Sequence, residues 1–187
     1  MLLNLTSPQT LERLREQAEN HPKYRVRKSA LQALVKGCKD NPETLNVLKN
    51  VAHRDRAPEV VQTAIQELAR GWQDDSETLN WLKTYAQYSQ NPVVRSTAIQ
   101  ELARGWSEIF NVFEILAKCA FVDPFQRQNN ADINPRKSAL ESAIAYYGDR
   151  PETWALVADR ARNDTDRQVR SFAKEQLQQK ADANGVI

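Results

Sequence analysis

The sequence predicts an all-α fold, an α-solenoid of antiparallel helix pairs with a 34-residue period. Three observations carry that expectation. The segment from Thr63 to Trp72, Thr-Ala-Ile-Gln-Glu-Leu-Ala-Arg-Gly-Trp, recurs unchanged from Thr97 to Trp106, and repetition at a fixed period is the mark of a stacked array. Apolar residues fall at i, i+3 and i+7 along the chain, the spacing of one helical face. Glycine and proline are scarce, 5 and 8 in 187 residues, which disfavours turn-rich all-β folds.

The first recurring segment defines an A helix. A step back of 34 from Thr63 reaches Ser29 to Cys38. Forwards, after seven extra residues, Ser138 to Ile144 falls into register, and a further step reaches Phe172 to Leu177. A second segment, the B helix, keeps the same spacing. Its starts are Ser7-Pro8-Gln9-Thr10-Leu11, Pro42-Glu43-Thr44-Leu45, Ser76-Glu77-Thr78-Leu79 and Pro151-Glu152-Thr153-Trp154. In order, the chain reads as a B half-repeat (7–20), repeats at 23–53, 57–87 and 91–120, an insertion (121–134), a repeat at 135–162, a closing A helix (167–180) and a tail (181–187), all one array.

Alanine occupies one B-helix column throughout, at Ala18, Ala52, Ala86, Ala120 and Ala161, and one A-helix column at Ala30, Ala64, Ala98, Ala139 and Ala173. Such small side chains let helices approach closely. Pro8, Pro42 and Pro151 stand in the first turn of B helices, where proline is tolerated, and Ser7 and Asn41 are expected N-caps. Pro22, Pro58, Pro92 and Pro135 fall near the starts of A helices. Gly37, Gly71 and Gly105 are expected as C-terminal caps. Cys38, Trp72, Trp106 and Tyr147 share one A-helix column and are expected in the core, as is Cys119. Lys174 and Gln178 stand where earlier A helices carry apolar residues, which reads as the end of the stack. Leu2, Leu3 and Leu5 cap the first B helix or belong to an earlier A helix.

Composition narrows the function. Twenty-six basic and 24 acidic residues leave a net charge of +2, no basis for nucleic acid or an anionic membrane as main partner. No apolar stretch reaches the roughly 20 residues a membrane helix needs, and Met1 to Leu5 is too short for a signal-peptide core. A cytoplasmic setting is the expectation. His21 and His53 with the two cysteines form no metal pattern and no catalytic constellation. A phosphate-binding glycine loop is absent. The sequence is therefore read as a non-enzyme without cofactor or metal.

The period, the helix pairs and a Val-Arg opening of the A helix (Val26-Arg27, Val94-Arg95, Val169-Arg170) resemble HEAT repeats. The phrase ending in Arg-Gly-Trp, followed by Glu-Thr-Leu, looks like the HEAT arrays of bacterial NACHT-type NTPases, which implies a sensing or interaction region. The HEAT resemblance also implies that Arg27, Arg95, Arg136 and Arg170 form a structural ladder with aspartates such as Asp55 and Asp164, six residues before the next column position. Val61 replaces arginine in one repeat, so the ladder is expected to break there.

HEAT arrays line their concave surface with B helices, so the resemblance places a protein or peptide partner there. Helical-wheel spacing at 100° per residue assigns Asn46, Asn50, Asn80, Thr84, Glu114, Lys118 and Phe121 to the exposed strip, with His53 and Gln87. Trp81 borders it, as a partner anchor or an inter-repeat contact. The insertion, with Phe121 and Phe125, is a contact loop or an ordinary tolerated insertion. A non-enzymatic interaction or scaffold module is the leading reading. A HEAT-type phycobilin lyase or phycobiliprotein chaperone subunit is second. A HEAT-like alkylpurine DNA glycosylase is third, disfavoured by the balanced charge.

Overall fold

The computed structural model describes residues 7–183 and 185, so the expectation for Leu2, Leu3 and Leu5 lies outside the described residues. The described residues form ten helices and no strand: α1 (Pro8–Asn20), α2 (Tyr24–Cys38), α3 (Pro42–Arg54), α4 (Pro58–Gly71), α5 (Ser76–Tyr88), α6 (Pro92–Trp106), α7 (Val112–Val122), α8 (Pro135–Tyr147), α9 (Pro151–Asn163) and α10 (Arg167–Ala183). The fold class is the all-α array of HEAT-like helix pairs that the repeat predicts. Odd-numbered helices are B helices and even-numbered ones A helices. No helix among the described residues is long and apolar enough to cross a membrane.

The chain divides into two compact units, residues 1–82 and 83–187, with the division falling inside α5. In the first, α1 packs on α2 and α3 on α4, while α2 lies against α4 and α1 against α3. In the second, α7 packs on α8 and α9 on α10; α6 and α10 flank α8, and α7 lies against α9. Each unit thus has an A layer and a B layer. The alanine columns explain the close approach: Ala18, Ala52, Ala86, Ala120 and Ala161 are buried, as are Ala30, Ala64, Ala98, Ala139 and Ala173. Leu31, Ile65, Ile99 and Leu140 fill the adjoining A-helix column at 1% exposure or less. Each is worth about 1.5–3 kcal/mol of apolar burial. Lys174, next in that column, is exposed.

Caps set the helix boundaries. Pro8, Pro42, Pro58, Pro92, Pro135 and Pro151 each begin a helix. Ser7 and Asn41 accept hydrogen bonds from the N–H groups of Thr10 and Glu43. Asn91 and Asn134 cap α6 and α8 in the same way. A buried threonine one turn in adds a staple, since the hydroxyls of Thr44 and Thr153 donate to the carbonyls of Cys38 and Tyr147, both at 2.6 Å. In α7 that column holds Val112, and no proline precedes it. The helix starts late, after Asn111 in the left-handed region at φ 71°.

Four expectations are corrected. Gly37, Gly71 and Gly105 lie inside the final turns of α2, α4 and α6, and Gly185 is the only described glycine with positive φ. The exits of α2, α6 and α8 pass through the right-handed residues Lys39, Ser107 and Gly148, and α4 leaves through Trp72 at φ −135°, so no left-handed cap is needed. The inserted residues also begin later than 121. Phe121 and Val122 complete α7 and Asp123 is its C-cap. At the other end, α10 runs on to Ala183 rather than stopping at residue 180. Trp106, Tyr147, Cys38 and Cys119 are buried, whereas Trp72 is half-buried beneath the Lys39 ammonium.

Candidate functional site

Two sets of side chains differ in kind, a buried ladder and an exposed strip. The ladder follows a constant offset. Arg27 makes a bidentate pair with Asp55 (2.6 and 2.8 Å), Arg95 pairs with Asp123 in the same way, and Arg136 with Asp164 (2.9 and 3.1 Å), each partner 28 residues on. The remaining guanidinium nitrogen bonds the carbonyl at the end of the preceding B helix: His21 for Arg27, Ser89 for Arg95, Asp123 for Arg136 and Asp164 for Arg170. Each aspartate also accepts the backbone N–H two residues on, at Ala57, Phe125 and Asp166. One rung therefore ties a B-helix end, the next A helix and the following B-helix end together. The bond to Asp55 raises the Arg27 pKa above its usual value against the opposing effect of burial. Val61, in this column, is buried and offers no guanidinium. Among the described residues Arg170 bonds the two carbonyls of Asp164 and Thr165 and no carboxylate.

Asp123 is the rung member that counting backwards from the next arginine misses, because that count crosses the inserted residues. Counting 28 forwards from Arg95 finds it. The insertion itself is tied down. Arg127 donates to Asp166 and to the carbonyl of Asp132, and the Asp132 carboxylate accepts the N–H groups of Gln128 and Asn129. Burial opposes ionisation of Asp166, but bonds from Asn134, the Gln168 N–H and Arg127 outweigh it and hold its pKa below the usual carboxylate value. In the first unit Asp75 is likewise pulled down, against burial, by Lys49 and Thr78.

The exposed strip differs between units. In the first, Asn46, Asn50, Asn80 and His53 are exposed, and Asn50 donates to the Glu19 carboxylate at 3.4 Å. Trp81 is half-buried and packs against that unit's core cluster. In the second, Thr84, Glu114, Lys118 and Phe121 are exposed. Lys118 donates to the Gln87 amide oxygen at 3.0 Å, and its ammonium stands 5.7 Å from the centre of the Tyr88 ring. The Arg160 guanidinium covers Phe121 at 4.3 Å and is itself paired with Asp159. Tyr88 and Arg160 were not assigned to the strip by wheel spacing. Tyr88 sits at the last residue of its helix, and Arg160 occupies a column that is apolar in Val51 and Cys119. Cys119 is buried and bonded to the Ala86 carbonyl; burial first, and the Asp123 charge second, push its thiol pKa up to about 12. Among the described residues no cluster of His, Cys, Asp or Glu is placed to hold a metal ion.

Residues 11–103 match the family model for HEAT repeats, a stretch just short of half the chain. No curated protein and no solved structure matches the chain.

Proposed function

From HEAT repeats as the premise, we propose that this chain is a non-enzymatic protein-interaction module that holds a protein or peptide on the exposed positions of its B helices. One observation carries the reading. Buried columns repeat the same residue types from repeat to repeat, whereas exposed B positions change, as in Asn46, Asn80 and Glu114, or Asn50, Thr84 and Lys118. Stacking constrains the first set and leaves the second free for partner recognition. Each unit carries its own set: Asn46, Asn50, Asn80 and the border residue Trp81 in the first, Thr84, Glu114, Lys118 and Phe121 in the second. A narrower form of the proposal makes the chain a sensing region of a NACHT-type NTPase system. The phrase Ala-Ile-Gln-Glu-Leu-Ala-Arg-Gly-Trp with its following Glu-Thr-Leu supports that form.

Site-specific photocrosslinking in cells tests the reading. A crosslinking residue at Asn46 or Glu114 is expected to capture a discrete partner, while one at Gln32 or Gln100 on the A helices is not. Capture only from A-helix positions, or from none, overturns it.

A further inference from the structure

Resting on the reading as an interaction module, we propose that the second unit's B-helix strip binds an acidic segment of a protein partner that also carries apolar side chains. Lys118 would take the carboxylates, and Tyr88, Phe121 and Val122 the apolar groups.

Among the described residues no carboxylate pairs with Lys118. Its ammonium is held by two neutral groups, the Gln87 amide oxygen and the Tyr88 ring. Glu114, one turn earlier on α7, makes no ion pair with it among the described residues. An ammonium over an aromatic face is attracted by the ring quadrupole and keeps its full charge for an incoming anion. Arg160 acts differently. With its charge met by Asp159 and, at 3.8 Å, Asp164, it serves to fix the Phe121 ring beneath it.

The apolar component is equally local. Tyr88 is 67% exposed, Val122 64% and Phe121 46%. Lys118 and Phe121 are i, i+3 neighbours on α7 and share one face, so the ammonium with its Tyr88 ring and the Phe121 ring with its Arg160 guanidinium are two pairs on that one face. The same shift of two repeats takes Tyr88, Lys118, Phe121 and Val122 to Asn20, Asn50, His53 and Arg54; those first-unit positions hold neither an aromatic ring nor a lysine. Aromatic anchors next to a charge are the residues on which protein interfaces concentrate their affinity. Nucleic acid is the poorer fit, since tracking phosphates takes several free cations and, among the described residues, Lys118 is the strip's cation without a carboxylate partner, with Glu114 on the same helix.

Fluorescence anisotropy on the full chain reads the proposal. The probes are a labelled Glu-rich peptide with interspersed Leu and Phe, a matched peptide with Lys for every Glu, and oligothymidine. The acidic peptide is expected to bind, more weakly as salt rises, with affinity falling about tenfold for Lys118→Glu and for Phe121→Ser and unchanged for Gln100→Ala on the A-helix side. Circular dichroism melting checks that the variants stay folded, and Val122→Ser replaces Phe121→Ser if that one does not. The proposal is overturned by failure of the acidic peptide to bind, by equal binding of the basic peptide, by preference for oligothymidine, or by indifference to Lys118→Glu. It is also overturned if sedimentation shows a dimer that Phe121→Ser dissociates, since a second copy then covers the strip. If the peptide fails while crosslinks from Asn46 or Glu114 persist, this inference alone falls; loss of both removes the interaction reading as well.

Discussion

Glu19 and Asn50 in the first unit, and Gln87 and Lys118 in the second, make the same cross-repeat contact at the same separation of 31 residues, with opposite charge. In the first a carboxylate meets a neutral amide, and in the second a neutral amide meets an ammonium. Beneath these exposed pairs the two units are alike. Arg27–Asp55 and Arg95–Asp123 share a bidentate geometry and a 28-residue offset. The difference teaches where the repeat is constrained. Positions that the next helix pair must cover are copied, and positions that face solvent are rewritten.

The largest effect should come from breaking a rung. Arg95 and Asp123 are 5% and 2% exposed, against 14% for Arg27. Arg95→Ala strands a buried carboxylate, and removing one partner of such a pair costs about 3–5 kcal/mol. Urea denaturation should show that loss, a smaller one for Arg27→Ala, and about 1 kcal/mol for Arg170→Ala, which gives up only carbonyl bonds. Equal and negligible losses at all three would mean that water holds the column as well as the aspartates do.

Acid sharpens the comparison next. Asp75 in the first unit and Asp166 in the second both have lowered pKa values. A carboxylate depressed on folding contributes stability above its unfolded pKa and loses it as pH falls through the folded one. Stability should therefore decline below the ordinary carboxylate value near 3.8, and Asp166→Asn should flatten that decline while lowering stability at neutral pH. An acid profile identical in the variant would remove Asp166 from the account.

Transplanting the exposed pair should do far less. Glu19→Gln with Asn50→Lys gives the first unit the second unit's charge, and exposed changes of this kind stay within about 0.5 kcal/mol. A larger shift in the melting temperature than that allows would show that the exposed contacts hold the stack. The smallest expected effect is at the thiols. Cys38 and Cys119 are buried, so a disulfide reagent at mildly alkaline pH should find no fast-reacting thiol in either unit until the protein unfolds; rapid labelling of Cys119 would contradict its pKa of about 12.

Much of this was legible from periodicity, because burial imposes it. The alanine columns, the proline starts and the arginine column are all consequences of one helix pair covering the next. Periodicity is silent where the period is interrupted or a helix ends. Asp123 falls within the segment 121–134 that breaks the period. Tyr88 and Val122 stand at the last residues of α5 and α7, where wheel spacing says least. The place of the glycines in the phrase suggests caps, although a turn without a left-handed residue needs none. Val112 in place of threonine marks the late start of α7, a signal visible once the threonine hydroxyl is known to staple the turn.

The inserted loop has a consequence for how this chain tolerates change in length. Arg136 bonds the carbonyls of Asp123 and Phe125, so the inserted residues leave and return between two points that one guanidinium already holds together. Removing 126–132 would bring Asp123 to the same distance in sequence from Arg136 that His21 has from Arg27. Adding residues there would lengthen a path whose ends stay fixed, at an entropic cost that grows only slowly with length. The array thus contains a docking bay for foreign sequence, a place where an epitope, a linker or another module can be spliced in without shifting the register of the helices on either side.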